Sequence, residues 1–179
     1  MIYVFLADGF EETEALVPVD ILRRCGADVV TVGVGKKIIT GSHKIPVTAD
    51  ITDTQASFDN LQAVILPGGM PGTLNLEKSQ IVQSFIDYAI DNGLYVCAIC
   101  AAPSILGHKN LLQGKEAVCF PGFEKDLYGA KISEKFAAAD GNIITAKGAG
   151  AAMEFGLLIA SKLCGEEIAN KTRKSMQCP

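Results

Sequence analysis

LYVCAICAAP, residues 94–103, carries the signature of the fold. LYVCAI is a continuous apolar run, as expected of a strand buried on both faces of a parallel sheet. Cys100 follows it at once. AAPSILGH, residues 101–108, opens a helix, with Pro103 in the first turn, where a missing N–H leaves no helical bond unmade. Ala98 and Ala102 flank the cysteine at the two positions where strand and helix approach most closely. Small-x-nucleophile-x-small between a strand and a helix is the layout of a nucleophile elbow. A helix N-terminus beside the sulfur favours thiolate and predicts a lowered cysteine pKa. A free cysteine is more often just a small buried hydrophobe. That reading is assigned to Cys97, Cys119 and Cys164, while position sets Cys100 apart.

Strand and helix signals alternate on both sides of this unit. Residues 2–7 (IYVFLA) form another buried strand. EETEALVPVDILRRCG, residues 11–26, reads as a helix with acids in its first turn, arginines in its last and Gly26 past its end. Pro18 is expected to kink or interrupt it. DVVTVGV (28–34) is a strand, and KIITGSHKIPVT (37–48) a small hairpin turning at Gly41-Ser42. AVILPGG (63–69) is a strand running into a glycine turn. A helix over 79–92 ends at Asn92-Gly93. EAVCF (116–120) reads as a strand and FEKDLYG (123–129) as a short helical piece. KFAAADGNIITA (135–146) is a hairpin and AMEFGLLIASKLCG (152–165) an amphipathic helix. A last helix runs from Glu166 to about Lys174, and the tail to Pro179 is expected to fray. Such alternation predicts one α/β domain over residues 1–179, with a mostly parallel sheet and helices on both faces. Ligands of such sheets sit beyond the carboxyl ends of the strands. That rule singles out the turns ADGFEE, LPGGMPG and AICAAP.

Composition narrows the function classes. The chain has 179 residues, 49% of them hydrophobic and 20% charged, with a net charge of −4. No Lys/Arg stripe marks a nucleic-acid footprint, and a weakly acidic surface disfavours anionic membranes. The opening MIYVFLADGFEE reaches Asp8 without a basic segment and reads as a strand, not a secretory signal. The most apolar later stretch is interrupted by Glu154 and Lys162 and is too short to span a bilayer. A cytoplasmic location with reduced thiols is the expectation. With one C-x-x-C and two histidines, His43 and His108, spacing suggests no zinc site, and no cofactor or metal is expected.

Three further signals bear on chemistry. The ADGFEETE turn offers Glu11, Glu12 and Glu14 at the edge of the first strand. One of them could reach Cys100 and shuttle a proton if burial keeps it protonated, or all three could merely dress a helix start. Gly68 and Gly69 let the backbone turn N–H groups toward a pocket, where with the Ala101 amide they could bind an oxyanion. Taken alone they are an ordinary glycine turn. Cys97 with Cys100 matches a thioredoxin-type C-x-x-C, but strand alternation predicts that the pair point apart. Lys147-Gly148-Ala149-Gly150 reads as a helix-opening loop facing the same pocket. His108 lies too far along the elbow helix to act as a base, and His43 has no evident partner.

ADGFEETEALVPVDILRRCG, VILPGGMPG, CAICAAPSIL and the late KGAGAAMEFG together resemble the ThiJ/PfpI superfamily, nearest to its parkinsonism-associated deglycase branch and bacterial ThiJ-type relatives. The resemblance implies a flavodoxin-like three-layer sandwich that dimerises, with the hairpin as a small addition. It places the nucleophilic, oxidation-sensitive cysteine on Cys100, the protonated glutamate on Glu14 and the oxyanion amides on Gly69 and Ala101. It places a supporting acid–arginine pair on Glu11 and Arg24. A histidine of several members falls on Phe120, which puts any histidine-assisted step in doubt. Ala101 stands where the protease-like branch has histidine, which argues against peptidase activity. The implied activity is cofactor-independent, of glyoxalase III or deglycase type (a hydrolase or lyase). Cys100 would form a hemithioacetal with a small α-oxoaldehyde such as methylglyoxal or glyoxal, and Glu14 would move the proton. The other reading is a non-enzymatic stress sensor or chaperone, switched by oxidation of Cys100 to sulfinic acid.

Overall fold

β1 (Ile2–Leu6) leads through residues 7–11 into α1 (Glu12–Arg24) and back to β2 (Val29–Gly33). A hairpin of β3 (Ile38–Thr40) and β4 (Pro46–Thr48) follows, then the short β5 (Ile51–Thr52). β6 (Ala63–Leu66), α2 (Gly72–Lys78) and α3 (Gln80–Asp91) come next, followed by β7 (Tyr95–Ile99) and α4 (Pro103–His108). β8 (Glu116–Ala117) and β9 (Lys131–Ile132) make a separate two-stranded sheet. β10 (Ala137–Asp140), β11 (Ile143–Ala146), α5 (Ala152–Cys164) and α6 (Glu166–Ser175) complete the chain. This computed structural model describes residues 1–178, so the expectation for the tail's last residue, Pro179, lies outside the described residues. Just before it the chain is tied down, with the Cys178 amide donating to the Arg173 carbonyl at 3.1 Å.

The main sheet has seven strands in the order β5-β2-β1-β6-β7-β11-β10. Within it, among the described residues, only β10 and β11 pair antiparallel. The others are parallel, as continuous apolar strands alternating with helices require. Alternation along β1 sends Ile2, Val4 and Leu6 into the layer that holds Phe155 of α5, and Tyr3 and Phe5 into the layer that holds Phe85 of α3. Tyr3 meets Phe85 edge to face at 5.5 Å. The chain goes from β1 to β2 on one side and then to β6 on the other. The topological switch point therefore lies between the carboxyl ends of β1 and β6.

Pro18 does not interrupt α1, which runs unbroken through it. Its ring deprives the Glu14 carbonyl of the usual helical donor, yet the site is held by packing. A Cβ built on Gly156 of α5 would lie 3.1 Å from the Pro18 Cα and 2.7 Å from the Ile21 side chain, so the two helices touch there backbone to backbone. The EAVCF segment is a strand only over Glu116–Ala117. Beyond it the Val118 amide donates to Thr145 Oγ1 at 2.9 Å and the Phe120 amide to the Cys100 carbonyl at 2.8 Å, so the segment is fastened to the elbow instead of a strand ladder. The two-turn α2 and the two-residue β5 have no clear sequence signal, the first because Pro71-Gly72 opens it like a loop.

Candidate active site

Four turns at the carboxyl edge of the sheet converge, after β1, β6, β7 and β11. Cys100 leaves β7 with φ +66°, a left-handed conformation that costs a non-glycine residue about 1–2 kcal/mol. Neighbours impose that turn. The Cys100 amide donates to the Ala146 carbonyl at 2.9 Å, extending the β11 pairing, and the Cys100 carbonyl accepts from Phe120. The elbow geometry read from small residues at 98 and 102 is present, with both alanines fully buried.

Glu14 is the acid that reaches the cysteine. Helix α1 starts at Glu12, which turns the third acid inward, and Glu14 is only 1% exposed. Glu11 sits outside the helix as its cap, its Oε2 accepting the Glu14 amide at 2.7 Å. The Glu14 carboxyl accepts the Gly68 amide at 2.9 Å, and also interacts with the Cys100 thiol and the Ala149 amide. Burial pushes its pKa up to about 7, helped by the Glu11 charge and opposed by these hydrogen bonds.

The glycines have a steric task. A Cβ on Gly68 would lie 2.6 Å from both the Cys100 Cβ and Glu14 Oε2. Gly69, at φ +88°, would press a Cβ to 2.4 Å from the Glu11 nitrogen. The Glu11 amide donates to the Gly68 carbonyl at 2.9 Å, locking the turns after β1 and β6 together. Burial and the Glu14 carboxylate push the Cys100 thiol up to about 12, while the amides of Gly69 and Ala101 pull it down. The lowered cysteine pKa expected from a helix end is therefore overridden. α4 begins only at Pro103, and the nearest charged group is the acid. Thiol and carboxyl are two acids against one another, so they titrate as a pair in which one proton is shared.

Structure and sequence part at several places. Arg24 is not brought to Glu11. It lies at the far end of α1, about 20 Å away at 1.5 Å per residue, and pairs with Asp20 at 2.9 Å. His43 has a partner after all, its Nδ1 lying 2.8 Å from Glu12 Oε2, with its amide donating to Glu12 Oε1 at 2.8 Å. Glu11, Glu12 and His43 stand within 4.8 Å of one another, but Glu12 is already engaged with His43 and Glu11 with the helix cap. His108 pairs with Glu77 at 2.5 Å. Cys97 and Cys100 pack against the same core layer, because Cys100 has left the strand alternation through its positive φ. What separates them is burial, since Cys97 is wholly enclosed and its thiol is driven far up.

The Ala149 amide as a donor to Glu14 has no signal in the sequence, although its loop is expected at the pocket. Gly148 approaches both the acid and Phe120. A Cβ there would lie 3.8 Å from Glu14 Oε1 and 3.2 Å from the Phe120 ring. Phe120, half exposed, joins Phe136, Pro121 and residues 147–151 around an apolar cavity of about 330 Å³ beside the acid. Glu14 thus lies behind Gly148, at the edge of a cleft whose walls are mostly apolar.

Known proteins share this fold. The DJ-1/PfpI family model matches residues 1–162. The dj-1beta protein of Drosophila melanogaster is 32% identical over 176 residues, covering 97% of this chain and 94% of that protein. A deglycase of Pyrococcus abyssi is 26% identical over 149 residues, covering 82% and 89%. A crystal structure of a mutant DJ-1 superfamily protein from Salmonella typhimurium superposes with a TM-score of 0.94 at 32% identity, covering 99% of this chain and 98% of that one.

Proposed function

Because this chain belongs to the DJ-1/PfpI family, we propose that it is a cofactor-independent enzyme acting on small α-oxoaldehydes, with Cys100 as nucleophile and Glu14 as proton shuttle. The observation that carries this reading is the pair itself: a strained elbow cysteine beside a buried carboxyl whose pKa is raised to about 7. A relative named as a deglycase supports it. Glu14 takes the thiol proton as the sulfur adds to the aldehyde carbon, and the oxyanion forms against the amides of Gly69 and Ala101. Glu14 returns the proton to give a hemithioacetal. Moving the C1 hydrogen to C2 as a proton through the same carboxyl converts the hemithioacetal into a thioester of a hydroxyacid. Water then cleaves the thioester, releasing the hydroxyacid and the free thiol. The reaction adds one water to the substrate and needs no external redox partner. Neither histidine contacts Cys100, so Glu14 carries the proton transfers alone.

Methylglyoxal consumption with stoichiometric lactate formation tests the activity. Cys100→Ser is expected to lower it on the order of 10³-fold or more, as loss of a covalent nucleophile does. Full activity in that variant would sink the mechanism.

A second reading rests on the same pair. A sulfinate on Cys100 would accept a hydrogen bond from protonated Glu14 and from the two backbone amides, which favours oxidative sensing at this sulfur. Mass spectrometry after brief peroxide treatment distinguishes it. Sulfinic acid confined to Cys100 is expected, and equal sulfinic oxidation of all six cysteines would refute it. We also propose that the chain works in the cytoplasm as a homodimer, which sedimentation of the purified protein tests. Exposed apolar side chains on α1 and α5, Leu16 and Met153, are candidates for the covered face.

A further inference from the structure

At the opposite edge of the sheet from Cys100, the last turns of α1 and α5 bring a second set of sulfur atoms together. Both helices return from the carboxyl edge of a parallel strand, so their C-terminal ends lie side by side. Their backbones touch where Gly156 meets Pro18. Cys25 lies seven residues beyond Pro18, and Cys164 eight beyond Gly156. Both spacings are two helical turns, so each cysteine stays on the face that its helix presents to the other. The two residues line one cavity of about 290 Å³, together with Gly26, Ala27, Asp28 and Leu163, and each is only half-buried. The Cys25 sulfur lies 3.2 Å from the Thr172 hydroxyl of α6. Burial raises the Cys164 thiol pKa, and the Cys25 thiol beside it adds to that.

We infer that Cys25 and Cys164 form a second redox site, closing reversibly to an intrachain disulfide that ties the C-terminal ends of α1 and α5. A peroxide is the oxidant. The Cys25 thiolate, with Thr172 donating to it, attacks the peroxide oxygen and becomes a sulfenic acid, and one water leaves. The Cys164 thiol gives up its proton and its sulfur attacks the Cys25 sulfur, releasing the hydroxyl as a second water. Two thiols are oxidised by two electrons and one hydrogen peroxide is reduced to two waters. A dithiol reductant reverses the step. The bridge joins the same two helices whose other ends hold Glu14 and its Ala149 donor, so it braces the frame of the catalytic pair from the far side. It is independent of whether Cys100 acts as a catalyst or a sensor.

The test is non-reducing peptide mapping of the full chain and of its Cys100→Ser variant after treatment with hydrogen peroxide. A Cys25–Cys164 linked peptide is expected in most molecules of both proteins, lighter than the two free peptides by two hydrogens and absent after dithiothreitol. Titration should show two thiols lost from the five that Cys100→Ser keeps of the chain's six, and none of that paired loss in Cys25→Ser or Cys164→Ser. Using both single variants guards against one of them misfolding. Separate sulfinic acids on Cys25 and Cys164, a bridge to Cys178 beyond the end of α6, or bridges only between chains would each overturn the inference.

Discussion

The two ends of α1 hold ionisable side chains in opposite circumstances. At its start Glu14 is almost wholly enclosed, with its oxygens against the Gly68 amide, the Cys100 thiol and the Ala149 amide. At its end Arg24 pairs with Asp20 in an ion pair about half exposed on both sides. The helix is the same, and so is the residue chemistry of charge near a helix terminus. The tertiary surroundings differ. Three loops close over the first end, removing water and forcing a proton to be shared. Water keeps the second end at ordinary strength, where an ion pair is worth little. Position on a helix therefore says where a charge stands, while enclosure by other segments says whether it can do chemistry.

Substitutions along α1 and its partner loop test this contrast. Glu14→Gln keeps the side chain's size and its acceptor for Gly68 but cannot carry a proton. Turnover of methylglyoxal is expected to fall about 10²- to 10⁴-fold. The same variant reports on pH. The folded Glu14 keeps its proton to about pH 7, the unfolded one only to about 4.5, so between these values the native state binds more protons. Stability is then highest below pH 4.5 from this group and falls as pH rises through 7, by about 3 kcal/mol at most. Urea unfolding across that window should show the slope in the parent and lose it in Glu14→Gln; a slope unchanged in the variant would assign it to other groups.

Gly68→Ala comes next. Its new Cβ has nowhere to go between Cys100 and Glu14, and overpacking of this kind costs about 1–3 kcal/mol. Chemical denaturation should register the loss, and peroxide reactivity of Cys100 should change with it. Glu11→Ala removes the cap of α1 at a cost of about 1 kcal/mol, readable in the thermal midpoint. Smallest of all is Arg24→Ala, which should shift stability by less than about 0.5 kcal/mol and leave activity unaltered. Should Arg24→Ala cost as much as Glu11→Ala, the two ends would be alike and the contrast would fail.

Much of the architecture was legible along the chain. The apolar runs at residues 2–7, 63–66 and 94–99 announced buried parallel strands, and the alanines around Cys100 announced the elbow. The hairpins at Gly41 and at Gly141-Asn142 followed from turn residues alone. EAVCF was misread because its amides bind a threonine side chain and the elbow carbonyl, contacts from segments far away in sequence. Pro18 was misread because local rules do not include the tight contact with Gly156 that supports the helix around it.

The order of residues is enough for the alternation of strands and helices, the sheet edge where the glycine and acidic turns gather, and the cysteine that forms the elbow. These depend on periodicity and on residue size, which are local properties. Contacts between distant segments decide which of three acids faces that cysteine, that Glu12 instead holds His43, and that Arg24 stands apart. They also decide the direction of the cysteine's pKa, which a helix end would lower and burial beside a carboxyl raises. Desolvation and Coulomb interactions act through space between segments, and no spacing along one segment contains them.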